Sequence, residues 1–253
     1  MIADLKAFLD EKYLQYNNPK FIESDPIQVP HLFQKKEDIE IAGLLAATIA
    51  WGQRKTIIAN SLKMMELLDQ APHDFVMNHH PKDLNRFSGF VHRTFNENDL
   101  TWFIGALQNI YRNHQSLEKV FKPLGDEQNL KNGIDRFRLA MLETPHETRS
   151  QKHVSSPAKG SASKRLIMYL RWMVRQDNAG VDFGIWKDIS PALLSCPLDV
   201  HSGNVARKLG LLYRKQNDWR SVEELDCQLR KLDPTDPAKY DYSLFGLGVF
   251  EGF

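Results

Sequence analysis

The sequence predicts an all-helical fold. Apolar residues recur at three- and four-residue spacing through most of the 253-residue chain. No βαβ alternation and no hairpin signal competes with that period, and there is no internal repeat or low-complexity tract. A chain of this length buries a core of its own, as one large domain or two smaller lobes.

The elements follow in order. Ile2–Tyr16 is amphipathic and stops near Asn17-Asn18-Pro19. An extended, proline-punctuated passage runs from Pro19 to Pro30. A second helix begins near Glu37 and is apolar nearly all round through Ile39, Ile41, Leu44, Leu45 and Ile49, so burial is expected. Gly52 breaks it, and Arg54–Leu68 makes a third. Asn98–Asn113 and Glu127–Leu142 come next, and the polar passage Glu143–Pro157 reads as a loop. Helices are then expected over Ser161–Val174, Val200–Leu212, Ser221–Lys231 and Pro237–Leu247, with Asp233-Pro234 and the late glycines as stops. Trp51, Trp102 and Trp172 are assigned to the core, while Trp186 is a candidate for stacking on a base.

Composition removes several classes of function. No apolar run is long enough to span a bilayer. Met1–Asp10 carries acids and lacks a signal-peptide layout, so a cytoplasmic protein without a membrane partner is expected. Two cysteines, Cys196 and Cys227, suit a reducing compartment and are too few for an iron-sulfur cluster or a four-thiolate zinc site. The nine histidines are scattered, and adjacent His79 and His80 point to different helix faces, so neither a metal nor another cofactor is expected. The net charge of +1 conceals an asymmetry: between Arg149 and Arg175 stand seven Lys or Arg residues and no acid. That block is a candidate polyanion site.

Two passages carry the chemistry. Pro157-Ala158-Lys159-Gly160-Ser161-Ala162-Ser163-Lys164 is a small-residue turn leading into a helix. Its glycine allows close backbone approach, and the first-turn N–H groups of the helix favour an anion. Lys164, Arg171 and Arg175 fall on one flank of the helix, away from the apolar stripe of Leu166, Ile167, Leu170, Met173 and Val174. A lysine placed beside Arg165 at the positive end of a helix is a candidate nucleophile. The second passage, Cys196–Leu212, sets Asp199 at the start of an amphipathic helix. There backbone N–H groups hold a carboxylate ionised, either as a simple cap or to stabilise a cationic transition state. Asp182, in a glycine-flanked turn, is a rival acid with an expected structural part.

Taken together, Pro157–Leu166, Leu198-Asp199-Val200-His201 with Val205–Leu211, and Ile39–Thr56 resemble the helix-hairpin-helix DNA glycosylase superfamily, across about residues 37–231. Gly160, Ala162 and Lys164 match the first glycine, second glycine and catalytic lysine of the family hairpin; Asp199 matches the catalytic acid, and Gln53 a glutamine after the early buried helix. Ala162 departs from the usual glycine. The Lys164–Asp199 interval exceeds that of the endonuclease III branch, is nearer that of the archaeal 8-oxoguanine glycosylase branch, and no C-terminal cysteine cluster follows. Leu170–Arg175 and Leu244–Val249 also resemble an uncharacterised bacterial domain-of-unknown-function family.

The resemblance implies a two-lobed helical fold. Residues 37–176 would form a central lobe ending in the helix-hairpin-helix, and residues 1–36 plus 177–253 a second lobe built from both chain ends. It also implies a base-excision repair enzyme that flips a damaged base, such as an oxidised purine, out of duplex DNA into a cleft. Lys164 and Asp199 would be catalytic, with an AP-lyase step through a Schiff base. Lys159, Gly160, Ser161, Ala162, Ser163, Arg165, Arg171 and Arg175 would hold DNA, and Gln53 would fill the gap left by the flipped base. Two alternatives stay open: a non-catalytic DNA-binding protein on the same scaffold, and a helical interaction protein with an acidic partner.

Overall fold

The computed structural model describes residues 2–253. Helix accounts for 64% of the described residues and strand for 2%, so the all-helical class holds. In chain order the elements are α1 (Ile2–Tyr16), α2 (Lys20–Ser24), α3 (Lys36–Thr48), α4 (Arg54–Leu67), α5 (Pro72–Asn78), strands β1 (Val91–His92) and β2 (Phe95–Asn96), α6 (Glu97–His114), α7 (Leu117–Phe121), α8 (Lys131–Leu142), α9 (Lys164–Val174), α10 (Val200–Lys208), α11 (Trp219–Leu232) and α12 (Tyr240–Val249). No described helix is long and apolar enough to cross a membrane.

Several boundaries differ from the periodicity, each for a local reason. Helix α8 starts at Lys131 because the Asn129 side chain accepts its N–H, at 3.0 Å. Helix α10 stops at Lys208: Gly210 takes a positive φ of 70°, and the Leu211 N–H returns to the Ala206 carbonyl at 2.8 Å. The antiparallel β1–β2 pair carries no turn signature in the sequence, since Arg93, rather than a glycine, takes the left-handed turn position. Within Glu143–Pro157, Thr148–His153 forms a 3-10 turn.

The chain divides into two compact units. The central unit comprises Ser24–Lys122 and Gly133–Ser155; the terminal unit comprises Met1–Glu23, Pro123–Asn132 and Ser156–Phe253. The sequence-based lobe boundary lies at 176/177, whereas the hairpin passage and α9 group here with the chain ends. In the central unit α3 is buried on every side from Ile39 to Thr48, and α4 and α5 pack against it. Its inward Glu40 accepts a hydrogen bond from the Tyr111 hydroxyl on α6 at 2.7 Å, satisfying an acid that is otherwise costly to bury. Helix α6 begins with a capping box between Asn96 and Asp99. The same Asp99 carboxylate accepts from Arg149 and Ser150 and so fastens the Thr148–His153 turn. In the terminal unit α12 lies between α1 and α10, and that packing sets the stage for the candidate site.

Candidate active site

The hairpin passage is shaped by its own side chains. Pro157 opens a 3-10 turn with its fixed φ, and the Ser156 hydroxyl accepts the Lys159 N–H at 3.3 Å. Gly160 closes the turn at φ 87°, a left-handed conformation that glycine adopts without strain. Ser163 is left-handed too, at φ 49°, and its N–H is held by the Ser161 hydroxyl at 3.1 Å. This second left-handed residue delays the helix from Ser161 to Lys164, making Lys164 the first residue of α9. Lys159 and Gly160 are exposed; Ser161, Ala162, Lys164 and Arg165 are half-buried, and Ser163 is buried.

Asp199 is the N-cap of α10 and uses its two oxygens differently. Oδ1 accepts the Ser202 N–H at 3.0 Å, while the Ser202 hydroxyl accepts the Asp199 N–H at 2.9 Å, completing a capping box. Oδ2 is turned to Lys164 Nζ, 3.3 Å away. Capping and pairing with the lysine therefore coexist in one carboxylate. Burial would raise its pKa, but the Lys164 ammonium and the Ser202 N–H outweigh burial and hold it below the usual carboxylate value. Neither side chain of the pair is sealed off, at 30% and 26% exposure, so a ligand can reach both.

A set of residues not singled out in the sequence keeps this geometry. The Arg207 guanidinium donates to the carbonyls of Arg214 at 2.8 Å and Lys215 at 3.0 Å and to Asn217 Oδ1 at 2.7 Å. Asn217 in turn donates to the Asp199 carbonyl at 3.0 Å. Gly203 makes room for this clamp, because a Cβ there would sit 2.9 Å from Arg207 Nη1 and 3.0 Å from Asn217 Oδ1. A glycine in the middle of a short helix was the available signal. On its far side the loop bonds to the hairpin, through an antiparallel bridge between Ser161 and Asp218 and a 3.1 Å bond from the Trp219 N–H to the Gly160 carbonyl. The elements carrying Lys164 and Asp199 are thus joined through one loop.

The basic flank read along α9 is corrected by the structure. Arg171 and Arg175 are 3% and 1% exposed and point inward. Arg171 pairs with Asp241 and lies 3.3 Å from Asp182; Arg175 pairs with Asp177 at 2.6 Å, Asp236 at 2.9 Å and Asp182 at 3.1 Å. Two guanidiniums enclosed by four carboxylates are not available to phosphates. Asp182 is therefore the shared partner of both arginines. Trp186 is also withdrawn from stacking on a base, since it is 1% exposed and packs edge-on against Tyr169. Arg165 is half-buried, and burial lowers its pKa to about 10, which leaves it charged at neutral pH. Gln53 lies in the central unit, exposed at the start of α4, with no side-chain cap bond. Trp172 and Trp102 are buried as expected, whereas Trp51 is only half-buried, stacked beside His153.

Two buried acids of the terminal unit set a pH response. Burial pushes Asp241 up to about 6 against the pull of Arg171 and Lys164, and pushes Asp226 up to about 6 against Arg230 and the Ser195 and Cys196 hydrogen bonds. An acid whose folded pKa exceeds its unfolded value of about 3.9 stabilises the fold while protonated in both states, and loses that contribution as pH rises through about 6. Asp226→Asn removes one such group. The unfolding free energy of the variant relative to the native protein should therefore rise between pH 4 and 6.5, by on the order of 2 kcal/mol, and level off above. Urea midpoints measured at half-unit pH steps check this, and a difference that is flat with pH refutes it.

A cavity of about 430 Å³ in the same unit is lined by Gln128, Asn129, Glu223, Asp226 and Arg230 among others, and by neither Lys164 nor Asp199. Among the described residues no cluster of three or more His, Cys, Asp or Glu side chains could hold a metal ion.

A family model described as a protein of unknown function, DUF2400, matches residues 25–250. No curated protein and no solved structure matches the chain.

Proposed function

The chain belongs to the DUF2400 family, and from that premise we propose that it is a DNA base-excision glycosylase with an associated lyase step. The observation that carries this reading is the Lys164–Asp199 pair, an amine and a carboxylate 3.3 Å apart at two helix starts and open to solvent. In this reading the fold is of the two-lobed glycosylase type, Pro157–Leu166 is the family hairpin, and the protein works in the cytoplasm on an oxidised purine such as 8-oxoguanine.

The chemistry asked of the pair is balanced within it. Asp199 accepts a proton from the Lys164 ammonium, and the freed amine attacks the sugar carbon that bears the base. The glycosidic bond breaks, the base leaves with its electron pair and takes from Asp199 the proton that the lysine gave it, and the carboxylate so restored offsets the positive charge now carried by the aminosugar. The sugar ring then opens as its oxygen leaves that carbon with the bonding pair and takes up a proton from the attached nitrogen, producing a protonated Schiff base. Asp199 then accepts the proton lost from the carbon next to the Schiff base, the 3′ phosphate leaves with its electron pair, and the strand is cleaved. Exposed Lys159 holds a flanking phosphate by its charge. The hairpin amides expected to share this role do not, because the Gly160 and Ser161 N–H groups donate to the Pro157 and Ser156 carbonyls, the Ser163 N–H donates to the Ser161 hydroxyl, and Ala162 adjoins the bridge to Asp218.

The test is to incubate the protein with duplexes containing 8-oxoguanine, uracil, thymine glycol or an abasic site, add borohydride, and look for a covalent adduct. An adduct on at least one duplex is expected. The Asp199 capping box favours a second reading, in which the acid is structural and the protein binds DNA without catalysis. Binding without any adduct transfers the assignment to that reading; absence of both binding and adduct ends both.

A further inference from the structure

We propose that the α10–α11 loop, together with the hairpin turn bonded to it, is a docking surface for the sugar-phosphate backbone of duplex DNA. This rests on the DNA reading above and adds to it where the duplex is held. The stretch Arg207–Arg220 contains five Lys or Arg residues and a single acid, Asp218. That acid is consumed internally: it accepts from the Arg214 guanidinium at 2.8 Å and from the Ser221 N–H at 3.1 Å as the cap of α11. Arg207 is likewise spent on the loop carbonyls. Lys215 and Arg220 remain exposed, with no carboxylate partner among the described residues. Lys159 joins them, because the Gly160 carbonyl beside it accepts the Trp219 N–H, one residue before Arg220.

The loop is not a solvated charge run on a slack chain. The Arg207 clamp, the Ser161–Asp218 bridge and the Asn217 bond to Asp199 fix its backbone from three sides. A large aromatic stands on it: Tyr213 is 78% exposed, while its N–H is held by Glu224 at 2.6 Å. Exposed cations on the hairpin, the loop and the first turn of α11, with an exposed ring on the same bonded backbone, suit a polyanion that also presents flat or apolar edges, which describes the groove margin of DNA. The surface lies beside the carbonyl of Asp199 and the turn before Lys164, so a duplex docked there passes the reactive pair.

The experiment is anisotropy binding of the full chain to a fluorescein-labelled duplex carrying a tetrahydrofuran abasic analogue, across a potassium chloride series. Lys215→Ala/Arg220→Ala should weaken binding and flatten the plot of log affinity against log salt by about 0.9 for each phosphate that is no longer neutralised. Tyr213→Ala should weaken binding and leave the slope unchanged. Lys187→Ala/Lys231→Ala, which removes two exposed lysines elsewhere in the unit, should match the native protein. Circular dichroism confirms that each variant is folded. If the native protein binds and the Lys215/Arg220 variant keeps its affinity and slope, or if the Lys187/Lys231 variant loses as much, the docking surface is wrong and the DNA reading stands. If the native protein binds no duplex, both fall.

Discussion

Lys164→Ala is expected to abolish the borohydride-trapped adduct and strand cleavage while leaving the protein folded and able to bind duplex. The pair it removes is partly exposed on both sides, so its contribution to stability is about 1 kcal/mol or less. Loss of the adduct would therefore report chemistry rather than unfolding. Two further variants separate charge from nucleophile. Lys164→Arg keeps a cation opposite Asp199, yet a guanidinium does not deprotonate to attack a sugar, so the adduct should be lost as completely. Asp199→Asn keeps the cap, since asparagine is an equally good N-cap, but removes the proton acceptor and the negative charge; adduct formation should slow by about 10²- to 10⁴-fold. A Lys164→Arg protein that still forms the adduct at the native rate would rule out Lys164 as the nucleophile.

Arg175→Met carries the largest expected effect on stability, about 3–5 kcal/mol, a large share of what a domain of this kind possesses. The guanidinium is 1% exposed and pairs with Asp177, Asp182 and Asp236, and Tyr13 accepts from it at 2.6 Å. Its removal strands three carboxylates in a region where burial already pushes the pKa of Asp236 up. Urea unfolding with an unchanged slope measures the loss. Adding Asp182→Asn to the variant should restore part of it, because one uncompensated charge disappears; the coupling of the two substitutions in a double-mutant cycle quantifies their interaction. A loss below 1 kcal/mol would mean that the cluster does not hold these elements together.

What could be read in advance followed the range of the interaction. The buried helix over Ile39–Thr48, the break at Gly52, the turn before α9 and the Asp199 cap are written in neighbouring residues, through helical period, left-handed glycine and side-chain capping. Helix ends drifted where one local bond decided them, as at Asn129 and Gly210. The short β1–β2 pair was invisible because Arg93 takes a position that usually advertises itself as glycine. The Arg207 clamp needed residues that meet only when the loop folds back on α10.

The seven cations between Arg149 and Arg175 show the division most clearly. Along the chain they form a block without an acid, which suggests a surface for a polyanion. In the fold, Arg149 meets Asp99 and Glu147, Lys164 meets Asp199, Arg171 meets Asp182 and Asp241, and Arg175 meets Asp177, Asp182 and Asp236. The sequence by itself determined the helical class, the turn that presents Lys164 and the cap that orients Asp199, because each depends on contacts within a few residues. Only the tertiary structure decided which charges are spent internally and which face outward. Coulomb energy and desolvation depend on distance and burial, and the acids that neutralise Arg171 and Arg175 include some that lie more than sixty residues away.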